Sequence, residues 1–144
     1  MLDMFINNNW KKIKSIADIC KLNSDTLVIK LHGFINNSGF ALKQLCNYLN
    51  INYDYKLWIL HDDMDFAFGD FKIHQSRRSG HNGIRNILQV QKEFHARISI
   101  GIGEPAIRNQ NSMSAYALAN FTKDEQMKLK NVSLQIYSEL SKLL

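Results

Sequence analysis

The sequence predicts a three-layer α/β/α domain built on a mixed, twisted sheet. Three observations predict it. Segments with the two-residue period of strands alternate along the chain with segments of helical period. The run Tyr55-Lys56-Leu57-Trp58-Ile59-Leu60 reads as a buried strand that leads straight into the carboxylates Asp62, Asp63 and Asp65. Open α/β sheets hold their ligands at that end of a strand. The length, 144 residues, fits one domain with one core.

Each element follows from its local pattern. Residues 15–22 and 26–31 are β-like, and Asn23-Ser24-Asp25 between them makes a hairpin. Residues 32–37 read as a loop. Ser38 is a candidate helix cap, and Phe40, Ala41, Leu45 and Leu49 share one face of the helix that follows. After the strand at residues 55–60, Phe71 and Ile73 mark a short strand. Ile84, Ile87, Leu88 and Gln91 mark a helix face. Residues 96–103 alternate strictly and end on glycine, as a strand entering a turn does. Pro105, the only proline, opens a loop through Met113, and residues 115–118 form a short helix. Thr122-Lys123-Asp124-Glu125 starts a long final helix with a capping box. Met127, Leu134, Ile136, Tyr137, Leu140 and Leu143 are available for its apolar face.

Composition narrows the function. With 45% apolar residues and no long apolar run, the chain reads as a soluble cytoplasmic protein with no membrane partner. The first residues lack the basic, apolar and small-residue order of a signal peptide. Cys20 and Cys46 have no metal-ligand spacing and read as small core hydrophobes. The net charge of +5 favours an anionic partner such as nucleic acid. A chain rich in Lys, Asn and Ile acquires the same bias from an AT-rich genome.

The chemistry concentrates between His61 and Asn86. Past the carboxylates, Gly80-His81-Asn82-Gly83 opens a helix and sets an imidazole and an amide close to backbone. Taken singly, these residues have plainer readings. Asp62 would cap a turn, Asn36 would form one, and His81 would mark a helix entry. Asp63, Asp65, Arg77 and Arg78 would be structural or solvated charges.

Taken together, they resemble the bacterial peptidyl-tRNA hydrolase family. Lys30-Leu31-His32-Gly33-Phe34-Ile35-Asn36-Asn37-Ser38-Gly39 is similar to its Lys-Pro-x-Thr-Tyr/Phe-Met-Asn-x-Ser-Gly motif. His61-Asp62-Asp63-Met64-Asp65 with Gly69 resembles its His-Asp-Asp/Glu-Leu-Asp…Gly motif, and Gly80-His81-Asn82-Gly83-Ile84-Arg85 its Gly-His-Asn-Gly-Leu-Arg/Lys motif. Arg97-Ile98-Ser99-Ile100-Gly101-Ile102-Gly103-Glu104-Pro105 and Tyr116-Ala117-Leu118 with Phe121 resemble later segments. The quoted motifs carry the likeness over roughly residues 15–144, so the whole chain, 1–144, is expected to be one such domain.

The resemblance implies hydrolysis of the ester between peptide and tRNA, recycling tRNA during translation, with no metal or cofactor. It implies that Asp62 orients a histidine base and that His81 supports the network. It implies that Phe34, Asn36 and Asn82 hold the substrate. The partner implied is the acceptor end of peptidyl-tRNA and not DNA. The family's chain begins with a strand, a Gly-Leu-Gly-Asn-Pro-Gly turn and a Thr-Arg-His-Asn segment whose histidine is the base. Residues 1–10 carry none of these, and the first histidine is His32. The expectation is an amino-terminally truncated chain without the family's first strand and first helix. Its activity is then reduced or absent, and the alternative function is that of a catalytically dead acceptor-end binding module. The family is monomeric, and a lost inner strand would favour self-association here. His74 and Ser99 stand where many relatives carry the Lys or Arg thought to hold tRNA phosphates.

Overall fold

A computed structural model describes residues 9–51, 55–91 and 94–143. Residues 1–8, where the expectation of a missing first strand partly falls, lie outside them. The amino-terminal half opens with an antiparallel sheet ordered β1-β2-β3: β1 (Lys11–Ile13), β2 (Ala17–Lys21) and β3 (Leu27–Leu31). The hairpin is the expected one, with Ala17 opposite Leu31 and Cys20 opposite Val28. Its loop is an Asx turn in which the Asn23 side chain accepts from the Asp25 N–H at 2.9 Å. Strand β1 was not expected. Lys14 adopts φ 49°, which turns the chain and folds Lys11–Ile13 back onto β2.

The second sheet holds the site. Strands β4 (Trp58–Asp63), β5 (Phe71–His74) and β6 (Ala96–Gly101) are ordered β4-β6-β5, with β4 parallel and β5 antiparallel to β6. Strand β6 is central and all six of its residues are buried. Its alternation therefore sorts two buried faces, rather than one buried and one wet. On one face Ile98 and Ile100 meet Leu129, Val132 and Ile136 of α4 (Lys123–Ser141), with Trp58, Leu60, Phe71 and Ile73 around them. On the other, Ile59 packs with Leu42 and Cys46 of α1 (Ser38–Leu49) and Ile84 and Ile87 of α2 (Asn82–Val90). The helix–sheet–helix layering is as predicted around this mixed sheet. The hairpin instead forms a sheet of its own. Apolar packing joins the two: Ile29 and Leu31 of β3 lie against the same cluster as Ile59.

Several local expectations shift. Strand β4 starts at Trp58 and runs to Asp63, so Asp62 and Asp63 belong to the strand rather than to the loop after it. Ser38 is the first residue of α1 and not its cap; its hydroxyl donates to the Ile35 carbonyl at 2.8 Å. Phe40 is exposed, and α1 buries Ala41, Leu42, Leu45 and Cys46 instead. Helix α3 (Gln110–Ala117) begins inside the expected loop, capped by Asn109, whose side chain accepts from the Ser112 N–H. The Thr122–Glu125 capping box is present. The buried face of α4 is Leu129, Val132, Ser133 and Ile136, spaced i, i+3, i+4, i+7, while Met127, Leu134, Tyr137 and Leu143 are exposed. The expected set had mixed two faces. Cys20 and Cys46 are both buried and unpaired, as read from sequence.

Two glycines let α1 and α2 meet. A Cβ on Gly39 would overlap the Asn86 carbonyl, and one on Gly83 would sit 2.8 Å from Ile35 Cγ1. The Gly39 N–H also donates to Asn86 Oδ1 at 2.8 Å. Gly39→Ala is expected to lower stability by about 1–3 kcal/mol, since the obstacle is backbone that cannot move aside. Gly80→Ala, where a Cβ meets nothing within 4 Å, is the control, with an expected change within about 0.5 kcal/mol. Urea midpoints of the two variants check this.

Candidate active site

The close contact of α1 and α2 builds a groove. It is lined by Asn36, from a 3-10 turn at Ile35–Asn37, and by Asn82, Arg85, Asn86 and Gln89 of α2, and encloses about 360 Å³. Those α2 residues recur at i, i+3, i+4 and i+7, so they form one polar stripe along the helix. Amides dominate the lining. They offer both donors and acceptors and suit a ligand with peptide-like groups. Arg85 reaches back to donate to Asn82 Oδ1, which fixes that amide's orientation.

Asp62 and His81 form the second part. His81 Nε2 lies 3.1 Å from Asp62 Oδ1. His81 also caps α2, its Nδ1 accepting from the Ile84 N–H at 3.3 Å. A ring nitrogen that accepts carries no proton, so the proton sits on Nε2 and is donated to Asp62. Both nitrogens of His81 are thereby engaged. The His81 hydrogen bond is the main reason the Asp62 carboxyl lies below its ordinary value, against burial, which pushes it up. Asp62 is ionised at neutral pH.

Behind Asp62 lies a polar network unforeseen from sequence. His61 is buried, with Nδ1 at 2.7 Å from the Asp62 carbonyl oxygen and Nε2 at 3.1 Å from Ser99 Oγ. His74 Nε2 lies 2.9 Å from the same hydroxyl. Burial, above all, pushes His61 down to about 4, and His81 and Arg97 add to it. Burial, Arg97 and Lys72 lower His74 too.

The structure thus brings Asn36 to Asn82 and Asp62 to His81, and the chain joins the two pairs at His81-Asn82. Phe34 is 83% exposed at the start of the 3-10 turn and is not among the groove residues. Asp63 and Asp65 stay outside the groove. Asp63 Oδ1 accepts from the Asp65 N–H, and Asp65 pairs with Arg108, which also reaches Glu104. Sequence reasoning gave no site role to Arg85, though it stands in the Gly80–Arg85 motif, nor to Asn86 and Gln89. The signal was there in the i, i+3, i+4, i+7 spacing from Asn82. Tyr116 of α3 donates to the Ile102 carbonyl at 2.7 Å, and Phe121 packs edge-on to Phe68. The Tyr116–Phe121 segment is thereby tied to the residue that follows β6 and to Phe68.

Known proteins resemble this chain in sequence and in fold. A sequence model of the family described as "Peptidyl-tRNA hydrolase" matches residues 2–144. A peptidyl-tRNA hydrolase of Prochlorococcus marinus (strain MIT 9301) is 31% identical over 138 residues, covering 92% of this chain and 69% of the relative. One of Rickettsia typhi is 36% identical over 118 residues, 81% of this chain and 60% of its own length. In fold, the chain is similar to crystalline peptidyl-tRNA hydrolase from Acinetobacter baumannii, with TM-score 0.65 and 20% identity over 88% of this chain and 68% of that one. A propanol complex of a peptidyl-tRNA hydrolase gives 0.64 at 21% identity, over 80% of this chain but 58% of the other. The chain is thus shorter than the proteins it matches, yet the match runs almost from end to end of it. It belongs to the peptidyl-tRNA hydrolase family.

Proposed function

We propose that this chain acts on peptidyl-tRNA in the cytoplasm, seating the acceptor-end ester in the Asn36–Asn82 groove and cleaving it by attack of water. The observation that carries the reading is the convergence of Asn36 and Asn82 on one groove, with His81, the neighbour of Asn82, bonded to an ionised Asp62. Two amides suit a substrate made of peptide groups. They hold its carbonyl and N–H groups and so fix the ester beside the carboxylate. Phe34, exposed next to the Asn36 turn, offers an aromatic surface for the substrate's apolar parts.

Water needs a base. An ionised carboxylate with a lowered pKa is a weak one, and both nitrogens of His81 are engaged. The described residues therefore supply binding, orientation and negative charge, but no free imidazole nitrogen beside Asp62. Hydrolysis by this chain should be slow and should rise when imidazole is added, because Asp62 can orient an imidazole and stabilise the imidazolium formed as that ring takes a proton from water. No metal enters this scheme.

Binding tests the groove separately from chemistry. Asn82→Ala is expected to weaken binding of the tRNA acceptor end by about 1–3 kcal/mol, the order for a lost hydrogen-bond partner. Duplex DNA of equal charge should bind more weakly and lose affinity faster with salt, since only phosphate charge would hold it. Titration of both nucleic acids against both proteins at two salt concentrations checks this. Equal binding of RNA and DNA, indifferent to Asn82, would reduce the interaction to the chain's basic charge.

A further inference from the structure

The polar network on β4, β5 and β6 has a single consistent placement of protons. The Asp62 carbonyl can only accept, so His61 Nδ1 carries the proton and its Nε2 is bare. Ser99 must then donate its hydroxyl proton to His61 Nε2. The remaining contact of that hydroxyl, with His74 Nε2, requires His74 to donate. The far end of the chain agrees independently. The Ser76 N–H points to His74 Nδ1 at 3.3 Å, which leaves the His74 proton on Nε2. No group in the series is asked to donate or accept twice with the same atom.

We propose that His74, Ser99 and His61 form a one-way hydrogen-bond relay across the sheet, which fixes the Asp62 peptide unit and thereby aims its carboxylate at His81. The three are positioning residues. The inference rests on the functional reading above only in taking Asp62 as the working carboxylate. Register places the three side chains together: His61 and Ser99 are partners across β4 and β6, and β5 and β6 run side by side at His74. Ser99 is fully buried. The surrounding charges favour neutral rings on His61 and His74. Arg97 on β6 and Lys72 on β5 oppose a proton on the rings, and Asp63 on β4 is the opposing carboxylate. His81 on α2 stands with its ring 5.2 Å from that of His61.

The test is nuclear magnetic resonance of the full chain with nitrogen-labelled histidine, reading which ring nitrogen is protonated. Expected are the Nδ1–H form at His61 and the Nε2–H form at His74 and His81. In Ser99→Ala, His61 should stay in the Nδ1–H form, held by the Asp62 carbonyl, while its Nε2 signal shifts to that of a ring nitrogen that has lost its donor. The His81 Nε2 proton should exchange with water about three- to tenfold faster, as expected when one supporting buried hydrogen bond is lost. His74→Gln keeps an N–H donor and should behave like the unmodified chain, whereas His74→Phe, at a half-exposed position that tolerates it, should shift the His61 Nε2 signal in the same direction as Ser99→Ala. A His61 ring protonated at Nε2 in the unmodified chain would overturn the relay. So would Ser99→Ala or His74→Phe variants whose His61 and His81 signals match the unmodified ones. Failure of the functional reading looks different. The histidine pattern would stand, but an acceptor-stem RNA carrying an amide-linked peptide would not bind.

Discussion

Asp62→Asn is expected to lower imidazole-assisted peptide release by about a hundred- to ten-thousandfold, the range for losing an effective general base. The side chain keeps its size and can still accept from His81 Nε2 through its amide oxygen, so the fold should hold. What disappears is the negative charge. In the unmodified chain that charge is secured by the His81 hydrogen bond, which holds Asp62 below its ordinary value. An amide neither stabilises an imidazolium nor raises the basicity of a ring at its surface. Binding of the acceptor end should change little, because Asn36 and Asn82 remain. Single-turnover release beside an affinity measurement separates the two, and an Asp62→Asn chain that responds to imidazole like its parent would contradict the role given to this carboxylate.

The second large effect is on stability against pH. His61 falls from 6.5 to about 4 on folding, mainly through burial. Its proton is therefore held less tightly in the folded chain than in the unfolded one. Between about pH 6.5 and pH 4 the unfolded state takes up a proton that the folded state refuses, so stability drops as pH falls through that window. Above it neither form is protonated and the effect is absent. Below it the loss is complete. The size follows from the shift and is on the order of 3 kcal/mol. Asp62, also lowered on folding, adds loss of the same sign farther down. In His61→Gln the slope between pH 6.5 and 4 should flatten, even though the variant is itself less stable at pH 7 for want of its buried hydrogen bonds. Urea midpoints at pH 7, 5.5 and 4.5 read the slope, and an unchanged slope in His61→Gln would assign it to other groups.

Much of the site was legible because its spacing is tight and its residue types are few. Asp62, His81, Asn36 and Asn82 sit in compact motifs beside glycines, and the structure shows what those glycines do. Gly39 and Gly83 let one helix and one turn approach another helix more closely than any side chain would permit. The α/β/α layering was legible from alternation in β6 and from the capping box of α4. The separate hairpin sheet was not. Whether two strands share a ladder depends on tertiary placement, which periodicity does not encode. The faces of α1 and α4 were misread for a related reason. Phe40, Met127 and Leu134 are apolar but lie off the buried stripe, and exposed apolar residues are common on folded chains. The relay was illegible because its members come from β4, β5 and β6: register pairs His61 with Ser99, and the His74 side chain reaches Ser99 diagonally from its place opposite Arg97. Within β6, Ser99 looked like the polar half of an alternating strand. It is instead fully buried and serves two imidazoles.

The most direct measurement is peptide release from peptidyl-tRNA by the unmodified chain, first alone and then with added imidazole. The account predicts slow release alone and a saturable acceleration by imidazole, with the acceleration reduced in Asn82→Ala at subsaturating substrate. Release at a full-length relative's rate without imidazole would show that a base is already in place beside Asp62. No release under either condition, from a chain that binds the acceptor end, would contradict the assignment of hydrolysis to this site.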